Sequence, residues 1–169
     1  MIKTTLLGLL ILFIAALLQS TIFSQLVLHI YAIPDFTLMI LIFTAYINGF
    51  MVGQLSGFFS GLMLDFLSAA PVGMNALIRT LTGALTGLMK GAFFLDNFIL
   101  PMVLCALATI FKAVLLYLLH LLFSEIIPYY SLLSPVFWVE LGLNTIFAPF
   151  VFGLLKLCKP LTIGLKEKF

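Results

Sequence analysis

Charge is what this sequence has least of. Asp, Glu, Lys and Arg make up 8% of its 169 residues, eight basic and six acidic, against about 25% in an ordinary soluble domain. Hydrophobic residues make up 64% and the mean hydropathy is +1.31. So few polar residues cannot cover a globular surface, which excludes a soluble enzyme, a nucleic-acid-binding module and a disordered chain. The net charge of +2 is too small an excess for polyanion binding, so no nucleic-acid partner is expected. Cysteine is scarce too. Cys105 and Cys158 lie in apolar surroundings with no CxxC spacing, which reads as plain core or lipid-facing residues. The two histidines, His29 and His120, have no second ligand at helical spacing, so no metal site is expected. No GxSxG, Walker, HExxH or paired-carboxylate arrangement is present, so neither catalysis nor a cofactor is expected.

What the chain has instead is long apolar runs. One membrane-spanning helix needs about 20 apolar residues, so the length admits about five to seven spans with short connections. The expected architecture is an all-α integral membrane protein, with residues 1–169 forming one transmembrane domain. Six helices in a compact bundle are expected, over about 4–28, 36–47, 51–67, 75–89, 98–123 and 133–157. Lys3 followed by an apolar run looks like a signal peptide. The run to about residue 30 exceeds a signal h-region and no A-x-A site follows, so it reads as an uncleaved first span. Its second half carries Gln19, Ser20, Thr21, Ser24 and Gln25, a polar stripe that should face other helices rather than lipid. Pro34-Asp35 then marks a turn. As one straight helix the stretch 36–68 would be about 50 Å long, beyond a hydrocarbon core of about 30 Å. The Asn48-Gly49 dipeptide is the expected break, a single long tilted helix being the alternative. With six spans, Lys3, Lys90, Lys156, Lys159, Lys166 and Lys168 fall on one side and Asp35, Asp65 and Glu125 at the other. That is a positive-inside pattern with both termini cytoplasmic. Five spans would put Lys3 opposite the tail and Lys90 outside.

Two features stand out within the spans. Gly49, Gly53, Gly57 and Gly61 recur every fourth residue, and Gly83, Gly87 and Gly91 repeat the device. Spacing of four places each set on one helix face, where backbones approach closely. The face serves either internal packing of the third and fourth spans or docking of another membrane protein. The second feature is four charged residues within or near the ends of spans: Asp65, Arg79, Lys112 and Glu140. Each costs about 2.5–3.5 kcal/mol at a helix centre on insertion scales, so each needs a partner. Their depths predict two pairs, Asp65–Arg79 and Lys112–Glu140, which serve as register locks, as a polar partner site or as a relay.

Read together, these residues resemble a known family. Pro34-Asp35-Phe36, the run from Gly57 through Leu64-Asp65-Phe66-Leu67-Ser68, and Val72-Gly73-Met74-Asn75-Ala76-Leu77 resemble the core of the MreD family, bacterial rod shape-determining membrane proteins. Pro135-Val136-Phe137-Trp138, Asn144, Pro149 and the basic exit at Lys156 resemble that family's last helix. The resemblance covers essentially the whole chain. Two positions depart from the family pattern. The turn at Asn48-Gly49 is uncharged where members often carry basic residues, and Lys112 matches no family position. The resemblance implies a non-enzymatic component of the rod, or elongation, complex that helps organise peptidoglycan synthesis and cell shape from the bacterial inner membrane. Its implied partners are MreC, with MreB, RodA and PBP2 in the same complex, and membrane lipid. Candidate contact surfaces for MreC are the faces bearing Gly53, Gly57, Gly61, Gly83 and Gly87 and the polar stripe of the first span, with Asp65 shaping the outer mouth. The family's fold is similar to the six-helix S-component of energy-coupling-factor (ECF) transporters. That likeness carries an alternative, a substrate-binding S-component-like subunit of a vitamin transporter, whose pocket would draw on Gln19, Asn75, Arg79 and Trp138. Under the leading reading no small-molecule substrate is expected.

Overall fold

The computed structural model of the chain describes residues 2–23, 32–68, 70–92, 98–127 and 129–158. Of the residues singled out above, Ser24, Gln25, His29, Lys159, Lys166 and Lys168 lie outside them. The described residues form six α-helices and no strand. Helix α1 (Ile2–Leu18) runs on into a π turn, Gln19–Phe23. Then come α2 (Phe36–Asn48), α3 (Phe50–Leu67), α4 (Met74–Leu88), α5 (Ile99–Leu122) and α6 (Pro135–Lys156). Helices α3, α5 and α6 are long and apolar enough to cross a membrane.

The break falls at Gly49. That one residue separates α2 from α3, at φ +92°, a conformation that glycine adopts without the steric cost of a Cβ. Its N–H closes α2 on the Ala45 carbonyl at 2.8 Å, and its own carbonyl accepts from Gly53 at 2.9 Å to open α3. The chain folds back there, bringing Gly53 against Ala45.

Helix α2 is the axis of the bundle. Every residue from Thr37 to Ile47 is buried, and α2 packs against each of the other five helices. Leu38, Met39, Leu41, Ile42 and Phe43 meet Leu12 of α1, Leu104, Cys105 and Ala108 of α5, and Ala148, Phe152 and Leu155 of α6. A helix apolar on all sides is one enclosed by others. Thirteen residues make it about 20 Å long, shorter than the helices around it.

Helices α3 and α4 form the tightest pair, an antiparallel hairpin whose register is readable from its glycines. A Cβ on Gly53 would collide with the Gly83 carbonyl, and one on Gly57 with the Arg79 carbonyl. One on Gly61 would lie 2.5 Å from the Ala76 Cα, and one on Gly87 2.7 Å from the Phe50 Cα. Four residues forward along α3 match four residues back along α4. The glycines let two backbones touch, which in a bilayer is how helices gain dispersion contacts that side-chain burial does not supply.

Candidate functional site

Four charged side chains meet inside the bundle at the N-terminal end of α2. Asp35 is their hub. Its carboxylate caps α2, accepting the Leu38 N–H at 2.9 Å, the placement that an N-cap carboxylate favours at the positive end of a helix. Arg79 Nη2 donates to both of its oxygens, at 2.8 and 2.9 Å. Lys112 Nζ bridges Asp35 Oδ2 at 3.0 Å and Glu140 Oε1 at 2.7 Å. Tyr130, from the segment before α6, donates its hydroxyl to Glu140 Oε2 at 2.8 Å. Asp35, Arg79 and Glu140 are all buried, 8% exposed or less. Two positive and two negative charges cancel within the cluster.

Neutral polar groups complete the shell. The Asp35 N–H donates to Asn144 Oδ1 at 2.8 Å, and Asn144 Nδ2 donates to Thr109 Oγ1 at 3.0 Å. Gln19, at the start of the π turn, accepts from the Thr37 N–H and hydroxyl, at 3.1 and 2.7 Å, and its amide faces Asp35 Oδ1 at 3.4 Å. Elements distant in sequence thus converge on one residue, Asp35: the end of α1 and the bodies of α4 and α5 at its carboxylate, and α6 at its backbone N–H. The Tyr130 phenol lies outside the helices. Burial first, and then the negative charge of Glu140, push its pKa up, so it stays a donor.

The Lys112–Glu140 pair is present as the depths predicted. The Asp65–Arg79 pairing is not, and this corrects the expectation. The α3–α4 register sets Arg79 opposite Gly57, two turns along α3 from Asp65. A helical side chain leans toward its own N-terminus, which carries the Arg79 guanidinium to Asp35. Asp65 does a different job. Its carboxylate accepts the backbone N–H groups of Gly73, Asn75 and Ala76, at 2.9, 2.9 and 3.1 Å. It ties the end of α3 to the open N-terminus of α4, whose own cap, Gly73, has no side chain to do so. Asp35 was expected with Asp65 and Glu125 at one end of the bundle. It lies inside, because α2 begins within the bundle rather than at its edge.

Gly53, Gly57, Gly61, Gly83 and Gly87 all lie against the facing backbone in the α3–α4 contact. The polar stripe of the first span is likewise turned inward at Gln19. Gly142 and Gly153 on α6 are the contrasting case, with open space where a Cβ would stand. Of the residues named for a vitamin-type pocket, Gln19 and Arg79 both face Asp35. Arg79 and Gln19 are engaged with Asp35 and Thr37, while Trp138 is 59% exposed. The cavity of about 270 Å³ near the α4 N-terminus is lined by apolar residues such as Leu77, Leu119 and Phe123. Asp35, Tyr130, Asn144 and Thr109 were missed as site residues. The available signal was Pro34-Asp35 set directly before an apolar helix, an N-cap pattern as much as a turn.

Fold and site define an all-helical protein of membrane composition whose polar interior is a closed ion cluster. The family model for rod shape-determining protein MreD matches residues 1–158, and the chain belongs to the MreD family. This is a family of shape-determining structural membrane proteins, and the three long apolar helices agree with that setting. No curated protein and no solved structure matched the chain.

Proposed function

We propose that the chain is a non-enzymatic component of the bacterial rod complex. It crosses the inner membrane six times, with both termini cytoplasmic, in a bundle similar to the S-component fold. It binds MreC and, with MreB, RodA and PBP2 in the same complex, helps organise peptidoglycan synthesis and cell shape. The family match over residues 1–158 carries this reading. The ion cluster supports a scaffold role, since it holds four helices in one register by charge-assisted bonds. With the α3–α4 glycines enclosed, the MreC helix is assigned to α6. There Gly142 and Gly153 lie open, with Ile146 and Phe150 exposed between them. Small residues on a lipid-facing helix admit a close neighbour.

Detergent co-purification with MreC, beside depletion in the native cell, tests the reading. Co-purification and loss of rod shape are the expected results. Failure of both would refute the rod-complex role. Leucine at Gly142 and Gly153 together should weaken MreC capture without lowering accumulation; unchanged capture removes α6 as the contact.

A further inference from the structure

Helix α2 carries the ion cluster at its N-terminal end and a slot of about 140 Å³ at the other. The edge-to-face ring pair of Phe43 and Phe152, with centroids 5.1 Å apart, closes one side of it. Tyr46, Ile47 and Leu100 supply further apolar wall. Lys156, the last residue of α6 and exposed, completes the lining and is its one charged residue among the described residues. Lys90 stands at the same end, its stem packed over Gly49 immediately after α2. It does not line the slot, which makes it a control rather than a ligand.

An apolar slot with a cation at its exposed edge matches one ligand chemistry: an aliphatic chain that continues into an anionic head. A zwitterionic lipid would fill the same apolar volume but offer Lys156 no net charge. Basic side chains at the end of a bundle meet phosphate where the hydrocarbon region gives way to headgroups, each contributing about 1 kcal/mol near an anionic surface. We propose that this slot is a binding site for an anionic phospholipid. One acyl chain enters between α2, α5 and α6, and the phosphate meets Lys156. The proposal rests on the membrane reading of this end of the bundle and is independent of MreC binding.

Native mass spectrometry of the purified full chain, with phosphatidylglycerol and phosphatidylcholine of identical chains, tests it. The protein should retain phosphatidylglycerol about fivefold over phosphatidylcholine, the ratio that ~1 kcal/mol sets. Lys156→Gln, an exposed substitution, should bring the two lipids within twofold. Lys90→Gln should leave the preference intact. Leu100→Trp, which fills the slot and keeps Lys156, should lower retention of both lipids. Equal retention by the unaltered protein overturns the proposal. So does a preference that survives Lys156→Gln or that is lost equally with Lys90→Gln, which would mark a diffuse basic surface. Because the assay uses the purified chain alone, a failed MreC pull-down leaves its outcome untouched.

Discussion

Replacing Asp35 with asparagine removes a charge and little else. The side chain keeps its shape and one oxygen to accept the Leu38 N–H that caps α2. What changes is the sum of buried charge, from zero to +1. Lys112 then has Glu140 as its one carboxylate, and Arg79, 5% exposed, has none. Removing one partner of a buried ion pair costs about 3–5 kcal/mol. The lower end applies here, because Lys112 keeps Glu140 at 2.7 Å and its side chain is 21% exposed. A loss of about 3 kcal/mol is a large share of the about 5–15 kcal/mol that holds a typical protein folded. Reversible unfolding in mild detergent, followed by tryptophan fluorescence of Trp138, reads it directly. The double variant Asp35→Asn with Arg79→Met restores a zero sum and leaves the Lys112–Glu140 pair untouched, so it should recover at least half the loss. If Asp35→Asn stays within about 1 kcal/mol of the parent, or the double is no more stable than the single, the cluster is not held by charge balance.

Three further outcomes follow from the same geometry. Exchanging Lys112 and Glu140 would rescue an isolated pair, but here it sets a glutamate beside Asp35. The swapped protein should therefore accumulate no better in membranes than either single alanine variant. Parity with the parent would mean that the Lys112–Asp35 contact contributes nothing. Gly57→Leu drives a side chain into the Arg79 backbone and should abolish accumulation, whereas Gly142→Leu enters open space and should leave it within twofold of the parent. Immunoblots of membrane fractions distinguish the two. Asp65→Ala removes the acceptor of three backbone N–H groups and should cost about 1–2 kcal/mol in the same unfolding assay. An effect as large as that of Asp35→Asn would return Asp65 to the ion cluster.

The parts legible in the sequence were those set by local rules. Gly49 breaks the helix because an Asn-Gly step and the width of a bilayer act on the same residue. The glycine spacing of four marked the α3–α4 face because helical periodicity alone creates it. Lys112 and Glu140 met because both depths were counted along neighbouring helices from a shared end. Arg79 was misassigned for a non-local reason. Its partner depends on the stagger of α3 against α4 and on α2 being enclosed, and neither is written in any single helix. Asp35 suffered most, since a carboxylate next to a proline looks like a loop residue until the helix that it caps proves to be the axis. Tyr130 and Asn144 carry no periodic or charge signal, and only the packed fold brings them to the cluster.

The hub at Asp35 also imposes an order on synthesis. Three of its partners follow it in the chain, by 44 residues at Arg79, 77 at Lys112 and 109 at Asn144. At about 5–20 residues per second of elongation, the first counter-charge emerges roughly 2–9 s after Asp35 and the last polar partner about 5–22 s after it. Until Arg79 emerges the carboxylate has no cation of the cluster to meet. The axis of the bundle is therefore its second helix to be made and among its last to be satisfied: α2 gains its first counter-charge with α4 and its last polar partner only when α6 arrives.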